Sequence, residues 1–150
     1  MLLTTKTRYA VMAMVDLALS DTEVPQSLAD IAERQELPLS YLEQLFPKLR
    51  KAELVKSIRG PGGGYLIARE LEEITILSIV EAVDESLKMT RCDGDPKSGC
   101  MVKSSKCLTH ALWRGLGKQI SEYLASVTLG SLTQGSRKLS FIDELIEESC

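Results

Sequence analysis

The chain of 150 residues lacks any run approaching the roughly 18 apolar residues that a membrane-spanning helix requires. A secretory leader is also missing. Lys6 and Arg8 precede the apolar stretch Tyr9 to Val15, but Asp16 interrupts it and no small-residue cleavage pattern follows. A cytoplasmic protein with no membrane partner is therefore expected. There are no internal repeats, and there is no cationic excess, since the net charge is −3. Histidine occurs once and cysteine four times. In a cytoplasmic chain so few cysteines point to metal ligands or redox sensors rather than structural disulfides.

What is present is an ordinary globular composition, 44% hydrophobic and 26% charged, long enough for one domain with its own core plus a dimerisation appendage. The charge is segregated. Ser40 to Arg69 holds six bases (Lys48, Arg50, Lys51, Lys56, Arg59, Arg69) against two acids (Glu43, Glu53). Glu70 to Glu85 then holds six acids and no base, and the tail from Phe141 adds four acids. Local field rather than net charge steers a polyanion, so one electropositive surface on an acidic molecule makes DNA a plausible partner.

Helical patterning opens the chain. Thr4 and Thr5 can cap a first helix to about Leu19, with Tyr9, Ala13 and Leu17 inward. Ser27-Leu28-Ala29-Asp30 fits a variant capping box for a second short helix, which breaks between Glu36 and Leu39. Ser40-Tyr41-Leu42-Glu43 fits the box better and opens a third helix burying Leu42, Leu45, Phe46 and Leu49. Two short capped helices joined by a tight break form a helix-turn-helix. Pro47 stands inside the third helix and requires a kink or an earlier end. Strand character at residues 54–58 and 65–68, across Arg59-Gly60-Pro61-Gly62-Gly63-Gly64, gives a hairpin, and helix, helix, recognition helix, hairpin is the winged-helix order. A fourth helix is expected from Thr75 to Glu85, and a long one from near Cys107 to about Leu129. Its Leu108, Leu112, Leu116, Ile120, Tyr123 and Val127 form one apolar stripe, read as a dimer interface; the alternative is packing on the chain's own first helix. Residues 131–138 read as a turn and 141–148 as a short acidic helix.

Removing the buried positions of the third helix leaves Tyr41, Gln44, Lys48 and Lys51 on its other face, with Ser40 and Glu43 in the first turns, where recognition helices meet base edges. Gln44 can bond adenine in a bidentate way, Glu43 can accept from the cytosine amino group, and Ser40 and Tyr41 can hold phosphate. Capping alone also accounts for Ser40 and Glu43, and Glu43 would repel phosphates, so Gln44 and Tyr41 are the better candidates. In the wing, Gly60, Pro61 and Gly62 bring unhindered backbone close to a DNA strand, and Arg59 can reach a narrow minor groove. A glycine-rich hairpin turn with no ligand is the competing reading.

Cys92, Cys100, Cys107 and His110 form C-x7-C-x6-C-x2-H. Cys107 and His110 fall at the start of the long helix, and the other two lie in a loop rich in Asp, Gly, Ser and Lys. Zinc would accept such donors, yet the tight knuckle of structural zinc sites is missing, and wider spacing suits an iron–sulfur cluster. An imidazole in place of one thiolate raises the reduction potential and adds a ligand sensitive to pH near neutrality, which suits a labile sensor. Unrelated surface thiols are a third reading. A fourth, a Cys107–His110 nucleophile and base, lacks an orienting carboxylate and an oxyanion site. Cys150 is expected to have no ligand role.

The stretches LTTKTRYAVMAM, LSYLEQLFPKLRKAELVKSIRGPGGGY, AVDES, TRC and KCLTHALWR resemble the bacterial winged-helix regulators of iron–sulfur cluster assembly across Leu3 to Leu132. The resemblance implies a homodimer on pseudo-palindromic double-stranded operator DNA, joined through a long helix. It also implies a 2Fe–2S cluster on Cys92, Cys100, Cys107 and His110, delivered by the assembly machinery, and DNA contacts from Ser40, Tyr41, Glu43, Gln44 and Arg59. The loaded form would repress cluster-assembly genes, while the apoprotein would bind a second operator class, Glu43 disfavouring the first. Departures are a longer loop before Cys107, Pro47, and an unmatched tail.

The expected protein is mostly α with a small β wing, and not an enzyme. A winged helix-turn-helix occupies 1–86, a cluster loop 87–106, a dimerisation helix 107–132 and an acidic tail 133–150. A winged-helix regulator switched by zinc or thiols, without iron–sulfur, is the alternative.

Overall fold

A computed structural model describes residues 4–83, 87, 101 and 105–134. The expected acidic helix at 141–148 and Cys92, Cys100 and Cys150 lie outside the described residues.

Helix α1 (Thr5–Leu19) is the hub. Ala10, Ala13 and Ala18 lie buried on one side of it with Met14 and Leu17, and such small side chains let neighbouring helices approach closely. Helix α2 (Leu28–Gln35) starts as its sequence requires: the Ser27 hydroxyl accepts the Asp30 backbone N–H at 3.1 Å. It stops at Glu36, which takes the left-handed conformation (φ 53°), and the chain turns at once into α3 (Leu39–Lys51).

The start of α3 differs from the sequence expectation. Pro38, not a serine, holds the N-cap position and gives no side-chain cap. Its ring fixes φ, and its carbonyl accepts the Tyr41 N–H at 3.0 Å, so helical geometry is set two residues before the apparent capping box begins. Ser40 and Glu43 are thus interior helical residues with exposed side chains. Nor does Pro47 end the helix, which runs on to Lys51; proline's missing N–H leaves only the Glu43 carbonyl without its usual donor.

The hairpin comprises β1 (Val55–Ile58) and β2 (Gly64–Ile67), antiparallel with Val55 opposite Ile67 and Ser57 opposite Tyr65. Gln26, ahead of α2, adds a third rung by exchanging backbone bonds of 3.0 and 2.8 Å with Tyr65. Tyr65 in turn meets Phe46 of α3 edge to face at 4.9 Å, locking the hairpin to the recognition helix.

Helix α4 (Ile76–Ala82), shorter than expected within the described residues, is capped by Thr75, whose hydroxyl accepts the Ser78 N–H at 3.1 Å. The long helix also proves shorter. Helix α5 spans His110–Ser126, and Val127 is extended; Thr128 then caps a separate α6 (Leu129–Thr133) through a reciprocal box with Ser131. Residues 127–130 are laced to the segment ahead of α4: Ile76 N–H to the Val127 carbonyl, Leu129 N–H to Ile74, and Gly130 N–H to Leu71, all at 2.9 Å. One core joins all these parts, with Phe46, Met14, Ile31, Leu42, Leu49, Ile74, Ile79 and Leu129 fully buried. Each such side chain contributes roughly 1.5–3 kcal/mol relative to exposure.

Candidate functional site

The buried side of α3 carries Leu42, Leu45, Phe46 and Leu49, and this fixes what the opposite side can present. Ser40, Tyr41, Glu43 and Gln44 are all exposed there, and Lys48 is half-buried one turn further along. None of the four is consumed by capping. Tyr9 of α1, which sequence reading assigned only to the buried face, meets the Tyr41 ring edge to face at 5.4 Å and orients it. Such a pair from separate helices leaves no local sequence signal.

The wing tip is solvent-exposed from Arg59 to Gly62. Gly60 and Gly62 have φ of 102° and 73°, a region that disfavours other side chains, and the turn closes with the Gly63 N–H on the Gly60 carbonyl at 2.9 Å. At Gly64 the demand is close approach, because a Cβ there would lie 2.4 Å from the Gln26 carbonyl oxygen. Arg59, just past the end of β1, and the recognition face are thus joined through Tyr65 and Phe46.

The second candidate site is described only in part. Cys107 is half-buried and precedes α5 rather than lying on it, and His110 is the first helical residue, its N–H donating to the Cys107 carbonyl at 3.1 Å. Cys107 Sγ lies 3.7 Å from the Thr109 hydroxyl, which also accepts the Trp113 indole N–H at 3.1 Å. Among the described residues no three His, Cys, Asp or Glu side chains are grouped to hold a metal ion, so a complete ligand set would need donors from outside them. A thiol and an imidazole within one turn fit a soft metal or an iron–sulfur cluster.

Along α5 the first part of the apolar stripe is left uncovered by the described residues, whereas Ile120 is half-buried and Val127 packs against the core. Leu108 just before the helix is fully exposed, Leu112 is 61% exposed and Tyr123 63% exposed. Leu124, by contrast, packs against the core. The chain's own first helix does not cover the exposed part of the stripe. No helix of the described residues is long and apolar enough to cross a membrane.

A helix-turn-helix whose second helix presents an unoccupied polar face, followed by a glycine-turned hairpin locked to that helix, defines a winged-helix DNA-binding protein. The particular lineage is also plain: a family model, Rrf2, described as an iron-dependent transcriptional regulator, matches residues 3–135, and the chain belongs to that family. It is 52% identical over 143 residues to the HTH-type transcriptional regulator IscR of Sodalis glossinidius, an alignment covering 95% of this chain and 85% of that one. IscR of Cronobacter sakazakii is 50% identical over 149 residues, covering 99% and 90%. That alignment takes in nearly the whole chain, so the likeness does not stop at Leu132 as the sequence reading had it. Among solved structures, T. potens IscR superposes with a TM-score of 0.73 at 40% identity, covering 91% of this chain and 88% of that one. CymR (YrzC), the global cysteine regulator of B. subtilis, gives 0.75 at 33%, covering 89% and 97%. The protein is a DNA-binding transcriptional regulator, not an enzyme.

Proposed function

We propose that the chain works as a homodimer on double-stranded operator DNA and controls iron–sulfur cluster biogenesis genes in the cytoplasm. In this reading it carries a 2Fe–2S cluster, delivered by the assembly machinery, on Cys92, Cys100, Cys107 and His110. The observation that carries the reading is the position of Cys107 and His110 at the root of α5, the same helix that exposes Leu112, Leu116 and Tyr123. The root of one helix therefore brings together two candidate ligands, Cys107 just ahead of it and His110 at its first position, and its body carries a surface suited to a second copy of the chain. A groove of about 280 Å³ between α1, α4 and α5, lined by Val11, Met12, Ile76, Val80 and Leu124, offers that copy further apolar surface.

Two recognition helices and two wings then meet half-sites about one helical turn apart. Ser40 and Tyr41 hold phosphates, Gln44 and Glu43 read base edges, and Lys48 adds a phosphate contact. Arg59 enters the minor groove with Gly60, Pro61 and Gly62 against the backbone. When bound, a 2Fe–2S cluster supplies a one-electron couple whose charge changes with oxidation state. Cys107 and His110 hold their part of it at the first turn of α5, so a change in how they are held alters the seating of α5 on its partner. A coupling of ~1–3 kcal/mol between that site and the DNA face is enough to change operator choice.

Iron, acid-labile sulfide and the absorption spectrum of protein purified without oxygen test the reading, together with operator binding by wild type and Cys107→Ala. Two irons and two sulfides per chain, lost in Cys107→Ala with altered operator binding, are expected. Zinc, or free thiols without metal, would remove the iron–sulfur half and leave the DNA-binding regulator intact.

A further inference from the structure

Among the described residues four threonines stand at helix N-caps, Thr4, Thr75, Thr109 and Thr128, and two of them, Thr4 and Thr109, make no side-chain capping bond. Thr75 and Thr128 turn their hydroxyls to the backbone, accepting the Ser78 N–H at 3.1 Å and the Ser131 N–H at 3.0 Å. Thr109, at the N-cap of α5, makes no such bond, and its backbone (φ −99°, ψ 7°) is not the extended form that the other two adopt. A threonine normally gains stability for its helix by capping, about 1 kcal/mol. Here its hydroxyl is committed elsewhere, to the Trp113 indole at 3.1 Å and to Cys107 Sγ at 3.7 Å.

The direction of these bonds follows from the donor inventory. An indole N–H can only donate, so Thr109 Oγ1 is the acceptor toward Trp113. The single hydroxyl proton is then left for the sulfur. A metal-bound thiolate can only accept, which makes the chain of bonds run from Trp113 through Thr109 to Cys107. Bonds in series polarise one another in the same sense.

We propose that Thr109, oriented by Trp113, is a positioning residue for the ligand sulfur of Cys107, donating a hydrogen bond that sets how firmly that thiolate holds iron. The inference rests on the iron–sulfur reading above and deepens it. Hydrogen bonds to cluster sulfurs are among the determinants of reduction potential. A donor to a thiolate disperses its negative charge, which favours the electron-richer reduced form and raises the potential. It also lowers the appetite of that sulfur for the proton that would displace iron. Partners of this kind, one step behind a ligand, typically alter metal affinity by about 10–100-fold.

The test uses full-length wild type, Thr109→Val, Thr109→Ser and Trp113→Phe, purified without oxygen. Three quantities are read: iron and sulfide per chain, midpoint potential by titration followed by electron paramagnetic resonance, and the rate of absorbance loss in excess chelator. Thermal midpoints of the apoproteins accompany them. Valine is nearly isosteric with threonine and no capping bond is there to lose, while the Trp113 indole, 40% exposed, can turn its N–H to water, so the apo midpoint should fall little below wild type. Thr109→Val is expected to show a lower potential and roughly tenfold faster cluster loss. Thr109→Ser should restore wild-type values, and Trp113→Phe, which leaves the hydroxyl unanchored, should fall between. A Thr109→Val cluster with the potential and loss rate of wild type would overturn the inference and leave the iron–sulfur reading standing. So would a Thr109→Ser variant that behaves like valine. A wild-type chain holding no iron and sulfide would overturn both.

Discussion

Arg34 clasps the buried carboxylate of Asp16 along both of its edges: Nε lies 3.0 Å from Oδ1 and 3.1 Å from Oδ2, and Nη2 lies 3.0 Å from Oδ2. Gln35 Nε2 adds a fourth hydrogen bond, to Oδ1, at 3.3 Å. The same Nη2 reaches Gln26 Oε1 at 3.2 Å, and Gln26 is the residue whose backbone pairs with Tyr65 of the wing. The charge that breaks the apolar run of α1 is therefore the tie between α1, α2 and the hairpin. It ties the wing, through Gln26, to the first two helices.

Replacing Asp16 by asparagine keeps the volume and removes the charge. The full cost of breaking a buried pair, about 3–5 kcal/mol, does not apply because the Arg34 side chain is 41% exposed. A loss of about 1–3 kcal/mol is expected, read as a lower urea midpoint at unchanged slope. Operator affinity should fall as well, because the wing loses one of its anchors.

Hydrogen bonding to Asp16 raises the Arg34 guanidinium above its ordinary value. A folded-state value above the unfolded one gives stability that is complete below the unfolded value and is lost only as pH climbs through the folded one, here beyond the range of arginine itself. The deficit of Arg34→Ala in urea should therefore be the same at about pH 6 and about pH 9 as far as this group is concerned. A deficit that disappears toward the alkaline end would show that the bond to Asp16 does not hold the guanidinium in its charged form.

Arg59→Ala and Gln44→Ala should separate two kinds of DNA contact. Loss of a base-reading side chain costs about 1–3 kcal/mol and relaxes preference at one position of the site. Loss of a wing cation should weaken binding and reduce the dependence of log affinity on log salt by about one contact. Operator titrations at several salt concentrations, with matched and mutated half-sites, distinguish them; identical salt slopes for Arg59→Ala and wild type would place Arg59 away from DNA.

At Gly64 a methyl group has nowhere to go, with the Gln26 backbone 2.4 Å from where a Cβ would sit. Gly64→Ala should break the third rung of the sheet and cost about 1–3 kcal/mol by overpacking. Amide exchange at Gln26 and Tyr65 should rise before that of α3. Unchanged exchange there would mean the rung contributes nothing to holding the wing.

Leu112→Asp combined with Leu116→Asp places charge on the exposed part of the α5 stripe. The fold should survive with its circular dichroism unchanged, while sedimentation reports a monomer and operator affinity falls by orders of magnitude. A doubly substituted chain that still sediments as a dimer would move the interface off α5.

Much of this was legible in local pattern. Ser27 caps as sequence suggests, the glycines mark the wing, and three-and-four spacing finds the buried side of α3. The misreadings share a physical origin. Ser40 and Glu43 match a capping box, but Pro38 had already fixed the backbone two residues earlier. The apolar period of α5 runs on through Val127, although that residue is extended and bonded to Ile76, because periodicity carries no information about where a chain reverses. Gln26 as a strand, Tyr9 against Tyr41 and Arg34 on Asp16 join residues far apart in sequence, and no window contains both partners. Of the four candidate ligands, Cys107 and His110 are brought together at the start of α5, with Cys107 just ahead of the helix instead of on it.

The lacing of Val127 and Leu129 to Ile74 and Ile76 makes α5 a lever with its pivot built into the DNA-binding unit. Seventeen residues span about 25 Å, with the pivot at one end and Cys107 and His110 at the other. Motion at the ligand end is then a swing rather than a slide. In the proposed homodimer a tilt of about 4° at the pivot would carry the first turn about 2 Å, enough to re-seat one leucine of the stripe. The pivot end, held by backbone hydrogen bonds, transmits the same rotation directly into the frame that carries the wing and the reading helix.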